Sequence, residues 1–124
     1  MSDLVVPDCR VYVDAEMGES ELIGVVAQLL YSDGDSGIGC EADVIRNPDY
    51  DSNRRRQFPG GFIYFRYYVD LYMSELPTEA QAQLVTAMLE ALWDWGCPAV
   101  AACSYEDWLP EHGGYRSTAI PWPA

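Results

Sequence analysis

Apolar and polar positions along the chain change period six times, and each change marks an element. Arg10 to Asp14 alternates, with Val11 and Val13 on one side and Arg10, Tyr12 and Asp14 on the other, which predicts a half-buried strand. After Gly18 the apolar residues Leu22, Ile23, Val25, Val26, Leu29 and Leu30 recur at helical spacing, with Glu19 and Glu21 near the positive end of the helix. A helix is expected over about Ser20 to Tyr31. Three glycines and two aspartates in Ser32 to Gly39 predict a turn rather than a calcium loop, because the glutamate and second helix of an EF-hand do not follow. A second strand is expected from Gly39 to Arg46, with Cys40, Ala42 and Val44 inward and Glu41 and Asp43 outward. Asn47 to Gly61 is polar, holds two prolines and ends in Gly60-Gly61, so it reads as a long exposed loop.

The strongest alternation runs from Phe62 to Tyr72. Ile63, Phe65, Tyr67, Val69 and Leu71 form the face expected in the core; Phe62, Tyr64, Arg66, Tyr68, Asp70 and Tyr72 form the other. Leu84, Val85, Met88, Leu89, Leu92 and Trp93 then predict a helix over Thr78 to Trp95, stopped by Gly96 and Pro98. Ala99 to Cys103, short and apolar, reads as a fourth, interior strand, and residues 104–124 as an irregular tail over the surface, pinned by Trp108, Ile120 and Trp122. Strand, helix, strand, strand, helix, strand in a single domain, with its core over about residues 9–103, most simply gives an α+β ferredoxin-like βαββαβ fold. Its four-stranded antiparallel sheet carries both helices on one face. The other face is expected to be open and lined by Tyr64, Arg66, Tyr68, Asp70 and Tyr72, joined by Tyr12 and Arg10 from the first strand.

Composition narrows the function. The 124 residues carry twenty acids against seven bases, a net charge of −13, and every base is arginine. Residues 1–51 hold twelve of the acids and only Arg10 and Arg46. Such a field repels phosphate backbones and anionic lipid and draws in basic partners, so no nucleic acid and no membrane is expected. Arg54 to Val69 does place bases and glycines ahead of aromatics, as RNA-recognition domains do, but the glycine–aromatic spacing is off and the charge opposes it. The opening MSDLVVPDCR lacks the basic start of a signal peptide, and no apolar run approaches a membrane span, which gives a cytoplasmic expectation.

Candidate chemistry is sparse. The four cysteines show no C-x-x-C spacing, and no metal or other cofactor is expected; Cys40 and Cys103 read as small buried hydrophobes. The single histidine, His112, stands in a loop with no nucleophile signature, and close acid pairs such as Glu41 with Asp43 are inevitable in so acidic a chain. No catalytic residue is therefore named. Acids mixed with exposed aromatics suit recognition of a basic protein. The candidates are Tyr64, Tyr68, Asp70 and Tyr72 on the open face, Glu41 and Asp43 on the neighbouring strand, Asp49, Tyr50 and Asp51 in the loop, and a separate cluster of Glu106, Asp107 and Trp108 in the tail. A homodimer or small-ligand module using the tyrosine face is the alternative.

The acidic domain, the segment DVIRNPDYD before FPGGFIYFRYYVDLY, and MLEALWDWGCPAVAACSYEDWLP resemble bacterial immunity proteins of polymorphic and contact-dependent toxin systems, over about residues 10–110. The resemblance implies a cytoplasmic inhibitor that holds a cognate toxin domain, often a basic enzyme, and occludes its active site by imitating the charge of its substrate.

Overall fold

The computed structural model describes residues 6–31 and 40–123; the turn expected over Ser32 to Gly39 lies outside them. Four strands, β1 (Cys9–Val13), β2 (Glu41–Arg46), β3 (Tyr67–Tyr72) and β4 (Ala99–Cys103), and two helices, α1 (Glu19–Tyr31) and α2 (Thr78–Asp94), follow the order β1, α1, β2, β3, α2, β4. The sheet order is β2-β3-β1-β4 with every neighbouring pair antiparallel, the ferredoxin-like arrangement. No helix of the described residues is long and apolar enough to cross a membrane.

Local chemistry sets the helix ends. Glu21 reaches back to accept the Gly18 N–H at the start of α1, and Leu22, Val26 and Leu30, four residues apart, all become buried. At the start of α2, the buried Gln81 amide donates to the carbonyls of Met73 and Leu76, fixing how the helix leaves β3. At its end Gly96 takes φ +80°, a left-handed conformation that costs glycine little, and the Cys97 N–H closes onto the Leu92 carbonyl. Val11, Val13, Val69 and Leu71 from one sheet face meet Leu22, Val26, Val85, Met88, Leu89 and Leu92 from the helices in the main core.

The alternation that begins at Phe62 becomes sheet only at Tyr67. Gly60–Tyr64 is a 3₁₀ helix instead, which takes Tyr64 off the sheet. The reason is the lack of neighbours: β1 ends at Val13 and β2 at Arg46, both opposite Tyr67, so no strand is left to pair upstream. Side chains replace the ladder. The Asp14 carboxylate accepts the Arg66 N–H, and the buried Asn47 amide donates to the carbonyls of Ile63 and Phe65, both at 2.8 Å. Asn47→Ala is expected to cost about 2 kcal/mol, since it strands two carbonyls and frees the Asp49 N–H, which a urea titration would read.

The other face of the sheet is only half open. Phe65 is buried as expected, but on the side away from the helices, with Val100 and Ile120, while Phe62 and Trp122 pack around them. Ile63, expected inward, is exposed. The tail is less irregular than its sequence suggests: it forms a 3₁₀ turn at Glu106–Trp108 and a kinked segment at Pro110–Gly114 in which Glu111, His112 and Gly113 take positive φ, then lays Ile120 and Trp122 against this second cluster. Trp108 pins nothing. β4 is an edge strand rather than an interior one, and its apolar composition follows from cover on both faces: Ala99 and Ala101 meet the main core, Val100 the second cluster.

Candidate functional site

Cross-strand register decides what the tyrosine face offers. Asp70 sits opposite Arg10 on one side and Asp43 on the other. Arg10 grips it in a two-pronged pair, Nε to Oδ1 at 2.7 Å and Nη2 to Oδ2 at 3.0 Å, and Asp70 is only 3% exposed. The Asp70 carboxylate holds the Arg10 guanidinium well above its usual range. Asp70, expected to meet a partner, is thus already neutralised. The same guanidinium lies 4.0 Å over the Tyr68 ring, which meets Tyr12 edge-on, and Tyr12 meets Phe62. Tyr68 is therefore half-buried in a stack. What remains open is the far half of the face: Glu41 and Asp43, both exposed, and Tyr72, whose phenol is raised by partial burial and then by the Asp70 and Asp43 charges.

The loop candidates serve the loop itself. Asp51 accepts the N–H groups of Asn53 and Arg54, starting the 3₁₀ turn Arg54–Arg56; the Arg54 bond, then the Asn53 bond, lowers its carboxyl. Tyr50 is exposed, with Arg66 over its ring and bonded to its hydroxyl at 3.0 Å. The exposed Asp49 contributes only its N–H, to Asn47. Tyr64, half-buried, lies under Arg54 at 5.5 Å. These groups share a neighbourhood with one another and not with the far half of the sheet face.

The tail cluster has a different character. Tyr105 and Leu109 are buried on either side of the 3₁₀ turn, and the Glu106 carboxylate accepts the Cys103 N–H at 3.1 Å, so the chain is held at both ends. Burial pushes the Tyr105 phenol up, and its hydroxyl has no partner. Held this way, the turn projects Trp108 outward at 62% exposure, the largest among the exposed aromatic side chains of the described residues. Beside it runs a shallow groove of about 420 Å³ along the outer face of α2, floored by Ala82, Thr86 and Ala87 and ended by Glu79 and Glu90. Residues 79, 82, 83, 86, 87 and 90 share that face because they are three or four apart. Asp107 is exposed next to Trp108, 3.3 Å from His112 Nδ1, which is exposed as well. Glu79, Gln83 and Glu90 are not among the residues that the sequence offers as partner contacts.

A second concavity, about 400 Å³, is lined by Asp14, Glu16, Arg55, Trp95, Cys97 and Trp122 among others. Asp14 and Arg55 neutralise each other there, and the Trp122 indole N–H is taken by the Arg56 carbonyl, so Glu16 is its one free charge among these six. Among the described residues no three His, Cys, Asp or Glu side chains gather as a metal site.

Charge is distributed to one effect. Among the described residues the arginine–carboxylate pairs are Arg10–Asp70 and Arg55–Asp14, while Arg54, Arg66 and Arg116 lie over tyrosine rings. Carboxylates thus neutralise two of the seven arginines within the fold, Arg46, Arg54, Arg56 and Arg116 stay exposed, and most acids face solvent. No family model, curated protein or solved structure matches the chain.

Proposed function

We propose that this chain is an acidic binding protein, without catalysis of its own, that neutralises a basic partner enzyme by covering its active site, as the resemblance to toxin immunity proteins implies. Trp108 and the α2 groove form the anchor; Glu79, Glu90 and Asp107 form the charged rim. The observation that carries this reading is an exposed tryptophan beside an apolar groove that Glu79 and Glu90 border. Aromatic anchors supply most of the energy of such contacts, and rim charges mainly speed encounter. Self-association through the open half of the sheet is less favoured, because a two-fold contact there would set the unpaired Glu41 and Asp43 of one copy near those of the other.

The test is capture at low salt from lysate of the source organism, followed by binding kinetics on the purified pair. Trp108→Ala is expected to weaken binding by about 2 kcal/mol, roughly 30-fold, mostly through faster dissociation and with the melting temperature unchanged. Asp107→Asn is expected to slow association with little effect on dissociation, and salt to do the same for the parent protein. A partner that stays active in the complex, or one that Trp108→Ala holds as tightly, would remove the support for this reading.

A further inference from the structure

The hydrogen-bond ladder between β1 and β4 determines how two cysteines meet. The Asp14 N–H donates to the Pro98 carbonyl at 2.9 Å, just beyond the last residue of β1. Hydrogen-bonded and non-bonded positions alternate along an antiparallel pair. Tyr12 opposite Val100 and Arg10 opposite Ala102 are therefore bonded positions, and Cys9 opposite Cys103 is a non-bonded one. Directly opposed residues at such positions have Cα atoms about 4.5 Å apart and side chains on the same face, within the separation that a disulfide spans. Both thiols are free, and the register sets them side by side on one face of the sheet.

The two are unequal. Cys103 is half-buried on the edge strand; the bond from Cys9 and the Tyr105 N–H lower its thiol, against the opposing effects of burial and Glu106. Cys9 is buried in the main core, and the shared bond and desolvation push its thiol up. Cys40 and Cys97 stand outside the strands, and desolvation raises both.

We propose that Cys9 and Cys103 form a reversible redox-modification site, in which Cys103 is the attacking thiol, Cys9 the resolving thiol, and a low-molecular-weight disulfide such as oxidised glutathione the substrate. The Cys103 thiolate attacks one sulfur of the oxidised glutathione and releases one glutathione thiolate, leaving a mixed disulfide. Cys9 then gives its proton to solvent, attacks Cys103 Sγ and releases the second glutathione. The protein loses two electrons and two thiol protons, and one glutathione disulfide becomes two thiols. The product staples β1 to β4 where the chain turns toward Trp108. This inference is independent of the proposed partner.

The experiment incubates reduced full-length protein with oxidised glutathione, quenches free thiols by alkylation and maps peptides under non-reducing conditions. The expected product is one Cys9–Cys103 disulfide with Cys40 and Cys97 alkylated, a melting temperature raised by about 10 °C, and full reversal by dithiothreitol. Cys9→Ala is expected to stop at the Cys103–glutathione adduct and Cys103→Ser to take up none; the wild-type map stands even where Cys9→Ala fails to fold. A wild-type protein that keeps a stable adduct on Cys103, pairs other cysteines or stays fully alkylatable would overturn the assignment.

Discussion

Asp14→Ala is expected to lower stability by about 3–5 kcal/mol, the usual result of stripping one partner from a buried ion pair. Asp14 does three jobs at the end of β1, two through its carboxylate and one through its backbone. Its Oδ2 receives Arg55 Nη1, its Oδ1 receives the Arg66 N–H at 3.1 Å, and its own backbone N–H holds Pro98 at the start of β4. The Arg55 side chain is 17% exposed, and its Nε is already buried without a partner. Alanine at 14 would leave that guanidinium uncompensated and the Arg66 N–H unanswered. The Arg10–Asp70 pair should respond more weakly, because the Arg10 side chain is 35% exposed and water can answer it. The decisive measurement is a double-mutant cycle in urea. Asp14→Ala with Arg55→Ala should cost clearly less than the sum of the two singles. A single-variant loss under about 1 kcal/mol, or strict additivity, would show that the pair is incidental.

That pair also marks where sequence reading stops. Asp14 could be placed at the end of a strand and Arg55 in a loop, but nothing in a separation of forty-one residues says that they meet. Elements with an apolar signature were legible: α2 begins where its periodicity begins, α1 within a residue, and β4 over its short apolar run. Alternation reports which side of a strand is apolar, and it is silent on how far the neighbours extend. Phe62 to Arg66 therefore alternates like a strand while Phe62 to Tyr64 lie in a 3₁₀ helix and Phe65 and Arg66 in a bend, because the would-be partners have already ended.

The same limit governs the candidate site. Alternation placed Asp70 on the face away from the helices, as found, but only register brings Arg10 opposite it and cancels its charge. Trp108 was flagged for its composition and misread as a pin, because a tail without period gives no hint of which residues point inward. Ile120 and Trp122 do the pinning, each through its own contacts rather than through a repeat. With the tail docked on the upper half of the tyrosine face, free aromatic surface and free carboxylates coincide best at Trp108. The surface charge reinforces this, since exposed carboxylates outnumber exposed arginines among the described residues.

Phe65→Ala tests that division of the surface and is expected to cost about 3–5 kcal/mol, as for other fully buried phenylalanines. Phe65 is the hub of the second cluster: its ring meets Trp122 edge-on at 5.3 Å, and Val100 and Ile120 complete its surroundings. Truncating it removes the floor on which the tail rests, while the main core on the helix side stays intact. Hydrogen exchange at the Trp122 indole N–H, which bonds to the Arg56 carbonyl, should therefore accelerate more than exchange in α2. A loss under about 1 kcal/mol with the Trp122 proton still protected would mean that the tail is held elsewhere. Partner binding separates the two surfaces. If Trp108 and the α2 groove form the contact, Phe65→Ala should retain affinity wherever it is folded, since Leu109 and Tyr105 anchor that turn to the main core. A matching loss of affinity and tail protection would instead return the interface to the face that the tail covers.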